Sequence, residues 1–398
     1  MINKIYIFLI VVSYLFIGYY HIFLGLSLAA ILIFLGFLNL FLSKSNLEFK
    51  FDKTVFVNLL VALFFCILSI SVNYSFLWGL ILSWIWVIII FVYFKSISEK
   101  GYFLYFKKVY FITISLSLCV AILQSFLIDF FWDLRNFFPT IEDKLILDQI
   151  KMRLAPPGLA YYNVQLSNQV SSLLVFYNLL ISKNSNPNKG LFFNSFLMIG
   201  SFLTQISSSF VLAALIITFR YLFYSKSKIK YLGFVIFPVI GIYLFSIFFS
   251  DPTKLSRISF LIVGIMILIN NPFGVSASEI YNEKVKVISE LFGNLPMLDD
   301  LLQTSFHNTF INVGVKIGLI GFVIYCWIYF YNSSTFSKIM FSNVSNQKAL
   351  ISVIMFSYLI QFVTHNSGPY TGDPYYWMVF GALLGNYYRK KVISKKLE

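Results

Sequence analysis

Apolar runs of helical length leave this chain very few ways to fold. They lie at about 4–19, 22–42, 54–72, 75–94, 109–131, 167–182, 191–206, 208–224, 231–249, 309–331, 349–365 and 374–388. In a bilayer every backbone polar group must be satisfied within the protein, and an apolar helix does this within one segment. The pattern predicts an all-α integral membrane protein of about 12 transmembrane helices, several of them short. With 59% hydrophobic and 12% charged residues, the chain has too little polar surface for a soluble domain. No internal repeat or linker interrupts it, so residues 1–398 are read as a single polytopic membrane domain. The run after Lys4 has no small-residue cleavage site and continues into a second span, so a cleaved signal peptide is not expected.

Two interruptions are long, 132–166 and 250–308. The second contains Ile258 to Asn270, an apolar run of 13 residues. A run so short marks a re-entrant or interfacial helix more often than a span. With that helix kept on one side, the termini and all the lysine-rich connections fall together on the other. That side carries 21 Lys and Arg against four acids, and the opposite side carries eight against twelve. By the positive-inside rule, both termini are cytoplasmic and both long loops face outward. The net charge of +14 is then a matter of topology, and a nucleic-acid partner is not expected. Cys66, Cys119 and Cys326 are scattered in apolar segments and read as packing residues.

Outer-face chemistry has no access to cytoplasmic nucleotides, so a donor must arrive already activated, most plausibly on a lipid. The candidate residues for such chemistry cluster in the two long loops. Phe306 to Gly321 reads F-H-N-T-F-I-N-V-G-V-K-I-G-L-I-G. On a continuous helix at 100° per residue, Gly314, Gly318 and Gly321 fall within about 40° of His307, and Lys316 about 180° away. This predicts one face with a histidine above a glycine groove. With an ordinary pKa near 6.5, His307 is suited to take a proton from a hydroxyl near neutral pH. His365, which tops the eleventh run on the same side, is a weaker candidate to assist it. His21, in a tight outer turn, is read as structural.

The first loop carries Arg153 beside Pro156-Pro157-Gly158, followed by Asn163 and Ser167-Asn168-Gln169 at the start of a helix. The turn would hold the Arg153 guanidinium, a bidentate phosphate ligand. Pairing with Asp148 is the structural alternative. The second loop runs from Asp251 through Arg257 and the short apolar helix to Asn271-Pro272-Phe273-Gly274. Arg257 sits where a lipid pyrophosphate would lie, although snorkelling accounts for it equally well. Lys284 and Lys286 are weaker anion ligands, because Glu279, Glu283 and Glu290 surround them and predict a solvated face. The outer carboxylate pairs, Glu142-Asp143 and Asp299-Asp300, do not converge if helical, and no His/Asp/Glu cluster has metal-ligand spacing. Neither a metal nor a cofactor is expected.

These residues resemble the O-antigen ligase and polymerase superfamily of membrane glycosyltransferases. His307-Asn308, nine residues and then Gly318-Leu-Ile-Gly321 is similar to the family's histidine and glycine signature. Arg257 with N-P-F-G resembles its second arginine stretch, and Arg153 with Gly158 and Asn163 its first. Gln205 to Phe210 departs from the family, which often has Ser-Arg there, and Lys316 stands where an acid is common. The resemblance implies a GT-C-like fold in the bacterial inner membrane and inverting, metal-independent transfer from an undecaprenyl-pyrophosphate-linked oligosaccharide. Arg153 and Arg257 would clamp the pyrophosphate, and His307 would orient or deprotonate the acceptor. Asn308, Asn163, Gly318, Gly321, Lys284 and His365 would contact substrate. Membrane lipids, a chain-length regulator and a flippase of the same pathway are the implied partners. An O-antigen polymerase is the favoured reading; a ligase acting on lipid A-core, a lipid-linked glycan transporter and a structural subunit remain open.

Overall fold

The computed structural model describes residues 2–14, 21–23, 26–42, 52–72, 77–126, 129–133, 156–160, 163–224, 252–276, 278–292, 306, 308–340, 345–364 and 374–397. Eleven of the twelve apolar runs are helical over most of their described residues; the run 231–249 lies outside the described residues. The helices are α1 (Ile2–Val12), α2 (Leu28–Leu42), α3 (Lys53–Val72), α4 (Leu77–Ile97), α5 (Phe103–Ser125), α6 (Asp129–Asp133) and α7 (Asn163–Ile181). There follow α8 (Leu191–Leu203), α9 (Ser207–Tyr224), α10 (Pro252–Asn270), α11 (Ile280–Phe292), α12 (Thr309–Met340), α13 (Ser345–Thr364) and α14 (Pro374–Leu397). One departure from the all-helical expectation is a small antiparallel pair, β1 (His21–Phe23) with β2 (Leu26–Ser27), at the turn that carries His21.

Among the described residues, Trp86–Ser125 and Thr309–Ile339 are the two helical stretches long and apolar enough to cross a membrane. Neither is continuous. Gly101, at φ 97°, divides α4 from α5 inside a π-helical turn at Ser98–Tyr102, and Gly318, at φ 81°, breaks α12.

The main core surrounds α7, whose residues from Gln165 to Phe176 are all buried. α7 is unusually polar for a central helix, and its polar atoms are matched by those of its neighbours. Ser171 and Ser208 donate to Gln361 Oε1 at 2.9 and 2.8 Å, and Gln361 Nε2 donates to Asn168 Oδ1. Gln165 and Gln169 both donate to the Tyr375 hydroxyl, which donates to the Tyr14 carbonyl at 2.8 Å. Reciprocal amide pairs join α3 to α12 through Asn58 and Asn332, and α7 to α8 through Asn178 and Asn194. Between apolar helices that share no water-driven attraction, such bonds supply association and register.

Small residues bring α4 against α14, the most extensive helix pair in the fold. A Cβ added to Gly381 would collide with the Phe91 carbonyl, and one added to Gly385 with the Lys95 carbonyl. Next to this crossing, Lys95 is buried, 3.0 Å from Asp52 and 3.4 Å from Glu99. Gly385→Ala is expected to wedge the helices apart and lower stability by about 1–3 kcal/mol. Thermal unfolding in detergent measures this, and an unchanged midpoint would contradict the packing argument.

A second, smaller core lies apart from the bundle. Phe260, Val263 and Ile267 of α10, Val275, Val287 and Ile288 of the following segment, and Phe306, Ile311 and Val315 at the head of α12 pack together. It brings the second long loop onto the head of the broken helix.

Candidate functional site

The site is built around the break in α12. Gly318 adopts φ 81° and ψ 178°, a conformation open essentially only to glycine. The break removes the helical bond that Leu319 would donate to Val315. The turn after α10 restores both halves of that bond. Leu319 N–H donates to the Pro272 carbonyl at 2.8 Å, and Val275 N–H donates to the Val315 carbonyl at 2.8 Å. The turn is itself shaped by Gly274, at φ 94°, whose own missing Cβ leaves room for the Lys316 carbonyl. Asn271 Nδ2 donates to Glu283 Oε2 at 3.0 Å and so ties the turn to α11.

This geometry corrects the expectation of a continuous glycine face beneath His307. Past residue 317 the helical projection no longer applies, and the three glycines meet different neighbours. Gly314 faces Leu268 of α10 and Phe322, Gly318 faces the backbone of Pro272 and Phe273, and Gly321 faces the Ile317 side chain. Close packing between α10, its turn and α12 accounts for Gly314 and Gly318. Gly264 completes that contact from α10, where an added Cβ would meet Ile311 and Phe306.

Lys284 also departs from expectation. It is 5% exposed, and its Nζ lies 4.8 Å from the centre of the Phe306 ring. α11 is amphipathic, and residues 284, 287 and 288 share its buried face, while Lys286, Ser289 and Glu290 remain exposed. The carboxylates that suggested a solvated face are engaged elsewhere, Glu283 with Asn271 and Glu279 with Ser276. Helical spacing of Ile280, Lys284, Val287 and Ile288 was the signal that could have placed the lysine inside. Burial lowers its pKa from the ordinary 10.5. The residue it stacks on, Phe306, immediately precedes His307 in the chain.

Asn308 is buried, and its Oδ1 accepts from the Ile311 amide at 3.1 Å. It therefore caps the N-terminus of α12, a contact worth about 1 kcal/mol. The cap fixes where the helix begins, at Thr309, two positions after His307 in the sequence.

In the first loop, the turn at 156–160 is buried throughout and held by α5. Gly158 N–H donates to Gln124 Oε1 at 2.9 Å, Gln124 Nε2 returns a bond to the Gly158 carbonyl, and Leu159 N–H donates to Ser117 Oγ at 3.1 Å. Gly158, at φ 62°, lies so close to Ser117 that no side chain fits. Arg153 is thus three residues from an anchored point in the chain, as the proline and glycine pattern implies. Gln124 was not legible as its anchor, because a lone glutamine in an apolar run has no characteristic spacing.

His307, Arg153 and His365 lie outside the described residues, as do the acidic pairs Glu142-Asp143 and Asp299-Asp300. Arg257 lies in α10, five residues into the helix, and Asn163 opens α7. The segment 205–210, where the family often has Ser-Arg, sends Ser208 and Ser209 into the neutral network around Gln361.

Among the described residues, fold and site together define an all-helical protein, one short strand pair aside, with two helical stretches of membrane-spanning length and a loop turn inserted into a broken helix. The chain matches no protein-family model, no curated protein and no solved structure.

Proposed function

We propose that this chain is a GT-C-like membrane glycosyltransferase of about twelve spans, an O-antigen or related surface-polysaccharide polymerase of the bacterial inner membrane. It transfers a growing glycan from undecaprenyl pyrophosphate to the non-reducing end of another lipid-linked repeat unit. The observation that carries this reading is the docking of the N-P-F-G turn into the Gly318 break, which places buried Lys284 against Phe306, one residue before His307. A buried ammonium beside the residue that leads into a histidine is suited to an anionic donor and a hydroxyl acceptor.

In the proposed reaction the acceptor hydroxyl attacks the anomeric carbon as the bond to the pyrophosphate oxygen breaks. His307 takes the hydroxyl proton, and undecaprenyl pyrophosphate, dianionic while it carries the glycan, leaves as the trianion. Arg153, Arg257 and Lys284 offset the charge that grows on the leaving oxygen. Asn308 holds the helix start, while the anchored turn at 156–160 limits how far Arg153 can stray.

The test is a gel of lipid-linked polysaccharide from cells lacking the protein and complemented with wild type or His307→Ala. Loss of the general base is expected to lower polymerisation by about 10²–10⁴-fold, leaving core lipid capped by a single repeat unit. Naked core with polymer accumulating on its carrier lipid would make the protein a ligase instead. An unchanged ladder would remove it from the pathway and return a transporter or structural role to consideration.

A further inference from the structure

The inner halves of α12 and α13 enclose an open groove of about 510 Å³ that the proposed chemistry does not use. Its lining is mixed. Ser337 and Ser352 bring hydroxyl side chains to it, Lys338 stands at one end, and Phe330 and Phe356 form exposed apolar flanks. Ser333 and Ser337 are one helical turn apart and share a face of α12.

One hydroxyl of the lining is left without a protein partner. Ser337 is 8% exposed, and among the described residues it has no hydrogen-bond partner. Ser333 Oγ, by contrast, is shut off from solvent and offers the groove no donor. Elsewhere in this bundle serines of helical segments satisfy themselves on the carbonyl four residues back, as Ser96, Ser125 and Ser201 do. Nor does Lys338 have a counter-ion among the described residues. A buried hydroxyl with no acceptor costs free energy that a ligand can recover.

We propose that this groove holds one anionic phospholipid of the cytoplasmic leaflet. Its phosphodiester oxygens would accept from the Ser337 hydroxyl and Lys338, and its acyl chains would lie along Phe330 and Phe356. This rests on the membrane-spanning reading of α12 and not on the polymerase reading. A purely apolar occupant would leave the Ser337 hydroxyl unmatched. A water-soluble anion would not account for the exposed aromatic flanks.

The test is native mass spectrometry of the full chain extracted in mild detergent, with phosphatidylglycerol and phosphatidylcholine of identical acyl chains added in parallel. One phosphatidylglycerol per chain should survive activation that strips phosphatidylcholine. Lys338→Gln should weaken retention about fivefold, the effect of one lysine near an anionic lipid. Ser337→Ala, which removes the hydroxyl with little change in volume, should weaken it further. Lys348→Gln, a charge change on the same end of the bundle but outside the groove, should leave retention intact and controls for folding. Equal retention of the two lipids, or undiminished retention in Lys338→Gln, would overturn the proposal. So would displacement of the lipid by excess inorganic phosphate, which would identify the ligand as a free anion. Because the readout is bound lipid and not polymer, its failure is distinguishable from failure of the polymerase reading.

Discussion

Replacing Gly318 by alanine should unseat the turn that completes α12 and abolish polymer formation. The φ of 81° with ψ of 178° costs a residue bearing a Cβ about 1–3 kcal/mol. Sterics add to this, since the new Cβ would stand 2.5 Å from the Pro272 oxygen and 2.7 Å from the Phe273 carbonyl carbon. Both are backbone atoms and cannot rotate away. Once the turn withdraws, the Val315 carbonyl and the Leu319 amide lose their partners, at a cost of about 1–3 kcal/mol for each that stays buried. The outcome is a large fall in the unfolding midpoint and protease cleavage within 271–276. Gly314→Ala is the milder control, because its backbone is helical and its Cβ would come no closer than 3.1 Å to the Leu268 and Phe322 side chains. Equal midpoints for wild type and Gly318→Ala would show that the turn does not hold the break.

Lys284→Met should separate folding from activity. Methionine matches the length of the lysine stem and suits the apolar face formed with Val287 and Ile288. It forgoes the cation–π contact with Phe306 but also avoids the cost of burying an ammonium. The unfolding midpoint should therefore stay within a few degrees of wild type, while polymer formation falls by about 10²-fold if the ammonium offsets leaving-group charge. Full activity would reduce Lys284 to a packing residue, whereas collapse of the fold would make it a structural cation.

The same residue gives opposite pH trends. Burial depresses the Lys284 pKa below its ordinary 10.5 in the folded chain. Between the depressed value and 10.5 the unfolded chain binds more protons than the folded one, so stability rises with pH across that window. Activity should fall across the same window if the ammonium serves the proposed transfer. In Lys284→Met both contributions should vanish.

Much of the architecture was readable from local pattern. Apolar runs such as 54–72 and 374–388 reappear as α3 and α14, because a helix that satisfies its own backbone needs no information from elsewhere in the chain. The 13-residue apolar run at 258–270 became part of the longer, 19-residue α10 ahead of the docked turn, and Pro156-Pro157-Gly158 announced an anchored turn. Those features depend on spacing and on the special backbone of proline and glycine.

What escaped the pattern depends on contacts between distant segments. Gly318 looks like any helix glycine until the turn at 271–274 arrives to take over the bond that the break removes. Lys284 reads as a solvated charge until Asn271 and Ser276 draw away Glu283 and Glu279 and the second core closes over it. Nor does any local signal tell that Ser208 will meet Gln361 or that Gln124 will clasp Gly158. The sequence by itself determined where apolar helices form and which segments lie between them, because helix formation and burial from water are set by neighbouring residues. Only the tertiary structure decided which helix breaks and which lysine is buried, because those outcomes depend on hydrogen bonds and packing partners brought together from tens of residues away.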